Sequence, residues 1–262
     1  MDLIAEIGWS HLGDMQLARR MIHAASQSGA NYVKFQTWKA NRLRPGPWNM
    51  DGRKELYERA ELSEDDHRLL KCACQENGVK FLTSCFCQED LVFIRTLSNS
   101  VKIPSPECVD VDFVKQTADL FDNVFVSVGA VEWNEMEYLF AIPNVTIMHC
   151  VSSYPCEMSN FHWSKFIKIK STAKRFGYSG HIPGVWDAIA AIANGASVVE
   201  KHFTIDNDLP GRDNKFALLP QDFRKLRDFA DHMESMQTEY SIDNILLCEE
   251  EYRKFHLGRW RG

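Results

Sequence analysis

The chain has 262 residues, of which 45% are hydrophobic and 25% charged, and its formal net charge is −6. This composition is ordinary for a soluble globular protein, and the acidic balance argues against a general nucleic-acid binder. No run approaches the roughly 18 apolar residues that a membrane span needs, and the N-terminus lacks the pattern of a signal peptide. We therefore expect a cytoplasmic protein whose eight cysteines are reduced thiols.

Short apolar runs alternate with amphipathic segments along the chain. The runs predict eight strands, at 3–7, 32–36, 79–83, 101–103, 124–128 and 145–149, with two more ending near 179 and 202. The segments between and after them predict helices at 14–28, 63–77, 88–97, 111–120, 133–140, 162–174, 185–194 and 220–239. Such alternation indicates a parallel sheet, and eight repeats in about 250 residues favour a closed barrel over an open sheet. We predict an α/β protein with a single (β/α)8 TIM barrel over residues 1–240 and a short C-terminal tail over 241–262.

One connection, residues 38–53, is longer than a plain turn between a strand and a helix, and it is rich in Pro, Gly and Trp. We predict a substrate-facing loop in which Arg42 and Arg44 bind a polyhydroxylated or anionic substrate. The alternative is that Trp38 and Trp48 pack the loop onto the barrel or onto a second subunit.

Polar residues collect at the C-terminal ends of the predicted strands, where barrel enzymes place their catalytic groups. They are Glu6, Lys34, Gln36, Ser84, Lys102, Ser105, Glu107, Ser127, His149, Ser152, Tyr154, Ser179, His181, His202 and Asp213. Two lysines in one barrel mouth need an anion to neutralise them, so Lys34 and Lys102 predict a site for a phosphate and a carboxylate. Alternatively, and compatibly, the lysines form structural ion pairs with Glu6 and Glu107.

Two histidines end adjacent predicted strands, with a predicted helix between them. This placement points His181 and His202 toward one edge of the sheet. Two neutral imidazoles that converge there are a common way to hold a divalent metal, so we predict a metal site at this edge.

Seven segments, in order and at compatible spacing, resemble the signatures of the sialic acid synthase family, the N-acetylneuraminate synthases. They are Ala5–Asp14, Lys34–Thr37, Lys102–Glu107, His149–Pro155, Gly177–His181, Glu200–Thr204 and Leu209–Asp213. Any one of these matches is weak, but seven in order are highly specific, and they span nearly the whole predicted barrel. On these segments the chain is identified as a member of that family.

The resemblance implies an enzyme that condenses phosphoenolpyruvate with an open-chain aldose, commonly N-acetylmannosamine, to give a nonulosonic 2-keto sugar acid and phosphate. It implies a divalent cation, Mn²⁺ or Mg²⁺, held by His181 and His202. Around phosphoenolpyruvate it implies Lys34, Ser84, Lys102, Ser105, Ser127, Ser152 and Ser179, and near the sugar or water Glu6, Tyr154 and Asp213. We also expect a homo-oligomer, a dimer or higher, and neither a nucleic-acid nor a membrane partner.

The chain departs from the family pattern in four places. The usual S-D-H is Ser179-Gly180-His181, so a carboxylate that could orient the imidazole is missing. Ser10 and His11 replace an Asn-His pair, and Ser152 stands where asparagine is expected. Nothing matches the family's C-terminal antifreeze-like domain, so we expect the barrel's own loops to recognise the sugar.

Two other functions stay open. One is a catalytically silent barrel that binds sugar acids. The other is a related enol-phosphate synthase of the 3-deoxy-octulosonate type, which acts on a phosphorylated aldose. Retention of both histidines, both lysines and Glu6 favours the active sialic-type synthase.

Overall fold

Eight parallel strands close into a barrel in the order of the chain, in a computed structural model that describes residues 1–260. The strands are β1 Asp2–Gly8, β2 Tyr32–Thr37, β3 Lys80–Cys85, β4 Ser100–Ile103, β5 Asn123–Ser127, β6 Val145–Cys150, β7 Phe176–Gly180 and β8 Val198–His202. Strand β8 pairs with β1, with Glu6 opposite His202, and this pairing closes the barrel. The predicted TIM-barrel fold is confirmed. Residues 261 and 262, the end of the predicted tail, lie outside the described residues.

In residues 1–260, ten helices follow or separate the strands, and all but the last, which lies in the exposed tail, pack around the barrel. They are α1 Met15–Gln27, α2 Arg53–Ala60, α3 Glu64–Glu76, α4 Leu91–Leu97, α5 Val111–Leu120, α6 Trp133–Met136, α7 Trp163–Thr172, α8 Trp186–Ala193, α9 Pro220–Met236 and α10 Glu250–His256. Two predicted helices lose part of their length to 3-10 turns, which form the start of the segment 88–97 and the end of 133–140. Helix α2 was not predicted, since its sequence is largely polar and only one of its residues is buried.

Local sequence signals set several helix starts. Asp14 caps α1 by accepting a hydrogen bond from the Leu17 amide at 2.9 Å. Ser63 and Asp66 form a reciprocal capping box at α3. These caps satisfy amides that have no partner within the first helical turn.

The barrel interior has an apolar layer beneath a polar one. The apolar layer, near the N-terminal ends of the strands, consists of Ile4, Tyr32, Leu82, Phe125, Met148 and Val198. Side chains two residues apart on a strand face the same side, so the next inward layer follows from the sequence. It contains Glu6, Lys34, Ser84, Ser127, Cys150 and Glu200. The apolar layer therefore closes the barrel under a polar mouth.

The remaining core lies between the strands and the helices. Five of the eight cysteines, Cys74, Cys85, Cys108, Cys150 and Cys156, are buried.

Within residues 1–260 we find no helix with the length and apolar content to cross a membrane. Every tail residue from 241 to 260 is exposed.

Candidate active site

A cavity of about 930 Å³ opens at the C-terminal ends of the strands. Fifteen of the sixteen predicted site residues line it: Glu6, Lys34, Gln36, Arg42, Arg44, Ser84, Lys102, Ser105, Glu107, Ser127, Tyr154, Ser179, His181, His202 and Asp213. The sixteenth, Ser152, is exposed and lies outside the cavity wall. His149, another strand-end candidate, faces outward, and its Nε2 donates to the Phe161 carbonyl at 2.7 Å.

Two lysines and two glutamates form a buried charge cluster on the cavity floor. The Lys34 Nζ lies 2.9 Å from Glu6 Oε2 and 3.7 Å from Glu200 Oε1. The Lys102 Nζ lies 2.9 and 3.0 Å from the two oxygens of Glu200. All four side chains are at most 6% exposed. Because buried charges need partners, each lysine here depends on a carboxylate.

The sequence interpretation misassigned the partner of Lys102. The expected pair with Glu107 is wrong, since Lys102 bonds to Glu200 while Glu107 lines the outer cavity. Glu200 was not among the predicted site residues. The available signal was strand alternation, because Glu200 lies two residues before His202 and so faces the same interior.

The two glutamates hold protons very differently. Burial raises the pKa of Glu6 from 4.5 to about 7, although Lys34 opposes the shift. Burial acts in the same direction on Glu200, but Lys102 and Lys34 outweigh it and lower its pKa to about 2. Glu200 is therefore a fixed negative charge, whereas Glu6 can gain or lose a proton near neutral pH.

Serine hydroxyls surround the lysines. Ser84 Oγ accepts from Lys34 at 2.7 Å, and Ser179 Oγ donates to Glu200 at 3.0 Å. Ser105 Oγ accepts from the Gly129 amide at 2.9 Å. Within residues 1–260 the buried Ser127 hydroxyl has no hydrogen-bond partner. An oxygen-rich ligand in the cavity would satisfy it.

His181 and His202 lie side by side, with ring centroids 5.4 Å apart. Burial lowers the pKa of each to about 3, and at His181 the neighbouring His202 adds to the shift. The Nδ1 of His181 lies 2.8 Å from the Val151 carbonyl, which can only accept. Nδ1 therefore carries the proton, which leaves the Nε2 lone pair free.

These properties fit a divalent cation. Both imidazoles are neutral, and the buried Nδ1 of His202 has no hydrogen-bond partner in the described part of the chain. Residues 1–260 contain no cluster of three or more His, Cys, Asp or Glu side chains placed to hold a metal. A divalent cation bound here would receive two ligands from this pair, with its further positions left to water or substrate.

Comparison with known proteins assigns the family. A model of the NeuB family matches residues 21–241. The chain belongs to the NeuB family. The N,N'-diacetyllegionaminic acid synthase of Campylobacter jejuni is 31% identical over 245 residues, covering 86% of this chain and 73% of that protein. The pseudaminic acid synthase of the same species is 28% identical, over 92% of this chain and 76% of its own length.

A solved structure agrees with this assignment. The N-acetylneuraminic acid synthetase of Leptospira borgpetersenii matches with a TM-score of 0.87 and 27% identity, covering 99% of this chain and 92% of that one. The predicted family and the prediction of a synthase-type enzyme are confirmed. The roles of individual residues stay predictions.

Asp213 and Tyr154 flank the histidines in this NeuB barrel. Asp213 accepts from the Trp9 indole nitrogen at 2.5 Å and lies 3.7 Å from the Nδ1 of His202. The Tyr154 ring lies on His181, with centroids 4.1 Å apart. Both residues line the cavity next to the two histidines, and their predicted place near the sugar or water stays a prediction.

The long loop packs onto the barrel rim while its arginines differ in role. Trp38 packs edge-on against Tyr57 and Phe86, which supports the packing alternative for this residue. Arg42 is held by Asp90 at 3.1 Å. Arg44 forms no salt bridge with any carboxylate in residues 1–260, and it lines the cavity. Arg44 is therefore the loop arginine available to a ligand.

The charge cluster predicts an unusual response to Glu200→Gln. Removing one member of a buried ion pair leaves the other charge unpaired, which lowers the free energy of unfolding by about 3–5 kcal/mol. We expect urea unfolding, followed by circular dichroism, to show this loss, and inorganic phosphate to restore part of it by neutralising the lysines. Glu76→Gln, which removes a surface pair with Arg19, should cost less than about 1 kcal/mol, and phosphate should not change its stability. A Glu200→Gln protein as stable as wild type would contradict the cluster.

Glu6 predicts a pH dependence of stability in the metal-free protein. Its folded pKa of about 7 exceeds the value of 4.5 in the unfolded chain, so between these values the folded state holds a proton that the unfolded state has lost. Stability should fall as pH rises through this window, by up to about 1.4 kcal/mol per pH unit. Chemical unfolding at a series of pH values should show that Glu6→Gln loses this slope, whereas the exposed-site variant Glu76→Gln keeps it.

Proposed function

We propose that this chain condenses phosphoenolpyruvate with an open-chain aldose, N-acetylmannosamine or a related sugar, to give a nonulosonic 2-keto acid and phosphate. One observation carries the proposal: the charge cluster with Lys34 and Lys102 lies on the same cavity floor as two neutral imidazoles. The first element suits a substrate with two anionic groups, and the second suits activation of a carbonyl.

Phosphoenolpyruvate matches the cavity floor in charge. The two lysines would contact its carboxylate and phosphate, while Ser127 supplies a hydroxyl that has no partner in the described residues. Glu200 keeps the lysines compensated before the substrate arrives, because it lies within 4 Å of both. The fold therefore positions the two lysines that bind the anion before the anion arrives.

The reaction needs one C–C bond, one water molecule and one C–O cleavage. The double-bond electrons of the enol phosphate form the bond from C3 to the aldehyde carbon, and the aldehyde oxygen takes a proton. Water adds at C2 and gives up a proton, for which Glu6 is suited because its pKa is near neutral. The resulting intermediate expels phosphate with its C–O electrons, and the C2 hydroxyl loses its proton to leave the ketone.

His181 and His202 are the residues that would hold Mn²⁺ or Mg²⁺. Such a cation supplies Lewis-acid polarisation of the aldehyde oxygen when bound. Asp213 lies near His202, and the Tyr154 ring covers His181. The two side chains can therefore orient the imidazoles and limit the space in which the aldehyde is presented.

A phosphate-release assay with phosphoenolpyruvate tests the proposal across N-acetylmannosamine, its 6-phosphate, related acetamido sugars and arabinose 5-phosphate. We expect release only with an aldose and added Mn²⁺ or Mg²⁺. A bound metal contributes several kcal/mol to the transition state, so His202→Ala should lose at least about 100-fold in rate. His232→Ala, on the exposed face of α9, should behave as wild type.

Two results would count against this function. Metal-independent activity of His202→Ala would show that His181 and His202 do not form a metal site. Sugar-acid binding without phosphate release for any aldose would instead favour the catalytically silent barrel, and release only with arabinose 5-phosphate would favour the octulosonate-type synthase.

The loop predicts a difference between its two arginines. Arg44→Ala should raise the Michaelis constant for the aldose more than that for phosphoenolpyruvate, because Arg44 faces the cavity without a salt-bridge partner in the described residues. For an anionic aldose the lost charged hydrogen bond is worth about 1.5–3 kcal/mol, or roughly tenfold and more. Arg42→Ala should shift both constants alike, since Arg42 anchors the loop to Asp90. Equal effects of both variants would assign the loop to packing alone.

A further inference from the structure

A second buried charge cluster lies behind the site, between the barrel wall and α8. The Lys201 Nζ donates to both oxygens of Asp187, at 3.0 and 2.8 Å, and to the carbonyl of Ile182 at 2.5 Å. The Tyr178 hydroxyl donates to Asp187 Oδ2 at 2.8 Å. The side chains of Lys201 and Asp187 are 2% and 0% exposed. We call these three side chains, Tyr178, Asp187 and Lys201, the rear cluster.

The rear cluster has no part in the reaction described above. None of its side chains lines the cavity, because Tyr178 and Lys201 alternate with the inward-facing Ser179 and His202 along β7 and β8. A buried ion pair contributes little net stability compared with apolar side chains of the same volume. Its presence at this point therefore calls for a role other than general stability.

The rear cluster holds the two strand ends that carry the histidines. Lys201 directly precedes His202 in β8, and the carbonyl it binds belongs to Ile182, directly after His181. Asp187 sits in the first turn of α8, which follows β7, and it binds Lys201 from there. One carboxylate thus links α8 to the ends of β7 and β8 on either side of the imidazole pair.

Gly180 supplies the space that this arrangement needs. A Cβ on residue 180 would lie 2.5 Å from Asp187 Oδ2 and 2.5 Å from Tyr178 Cε1, closer than such atoms approach. With Asp187 and Tyr178 in these positions, residue 180 has no room for a Cβ unless one of the two side chains shifts. The carboxylate that the family pattern places on residue 180 would project toward the same space, which Asp187 fills from α8.

We propose that Asp187 is a positioning residue: through Lys201 and Tyr178 it fixes the backbone on both sides of His181 and His202, and so sets the geometry in which they meet a divalent cation. It replaces, from a helix, the orienting carboxylate missing at Gly180. The proposal rests on the proposed function only in its assignment of the two histidines as metal ligands.

Calorimetric titration of the metal-free protein with MnCl2 tests this assignment without reference to turnover. Groups that orient metal ligands typically contribute 10–100-fold to affinity, so Asp187→Asn should weaken Mn²⁺ binding by about that factor. Tyr178→Phe, which removes one hydrogen bond to Asp187 and keeps the ring, should weaken binding in the same direction but less. Each titration is run well below the melting temperature of the variant.

Lys165→Met is the matched control for stability. Lys165 also ties loop carbonyls to a helix, those of Val128 and Val131 at 3.0 and 2.7 Å, but that helix is α7, which packs against β6. We expect a lower melting temperature and unchanged Mn²⁺ affinity. Weaker Mn²⁺ binding in this control, equal to that of Asp187→Asn, would show that general destabilisation explains the effect and would overturn the proposal.

A double variant separates stability from positioning, even where Asp187→Asn folds poorly. Asp187→Leu with Lys201→Met removes both charges, so its melting temperature should return toward wild type. Its Mn²⁺ affinity should stay weak, because the Ile182 carbonyl has lost its anchor. Wild-type affinity in the double variant would overturn the positioning role. Absence of Mn²⁺ binding in wild type itself would instead reject the two-histidine assignment, and the proposal with it.

Discussion

The central constraint on this molecule is the cost of burying two ammonium groups on the floor of one barrel mouth. Lys34 and Lys102 are each about 3% exposed, and each is held by a carboxylate within 3.0 Å. Because Glu200 lies between them, the two pairs form one network rather than two independent bridges. The apolar layer beneath keeps water from below, so the network depends on its own members and on ligands entering from the mouth.

The sequence predicted the barrel and most of the site because both follow from local patterns. Strand ends fix which residues reach the mouth, and fifteen of sixteen predicted residues do line the cavity. The failures concern partners from distant parts of the chain. Glu200 meets Lys102 across 98 residues and Asp90 meets Arg42 across 48. Alternation along β8 indicates that Glu200 faces inward, but no local pattern shows which lysine it binds. Helix α2 was missed for another reason, since its polar sequence shows no buried stripe.

In strand β8, the alternation of side-chain direction gives three consecutive residues three different roles. Glu200 faces inward and compensates the lysines, Lys201 faces α8 and binds Asp187, and His202 faces inward again beside His181. A pleated strand allows this because consecutive side chains leave on opposite faces. The charged floor and the rear cluster are therefore tied to the same short backbone segment, and displacement of β8 disturbs both.

The departures from the family pattern have different structural consequences. At residue 180 glycine stands where the family pattern has a carboxylate. Asp187 of α8 brings a carboxylate to the same space and binds the lysine that precedes His202. Ser152 is exposed and does not itself line the cavity, although its hydroxyl lies close to Ser105 and Cys150, which do. Ser10 and His11 are buried, and burial lowers the pKa of His11 to about 4, which keeps it neutral. The residue at a single motif position is therefore a poor guide to the chemistry of a site when a residue from another helix or strand can bring the same chemical group to the same space.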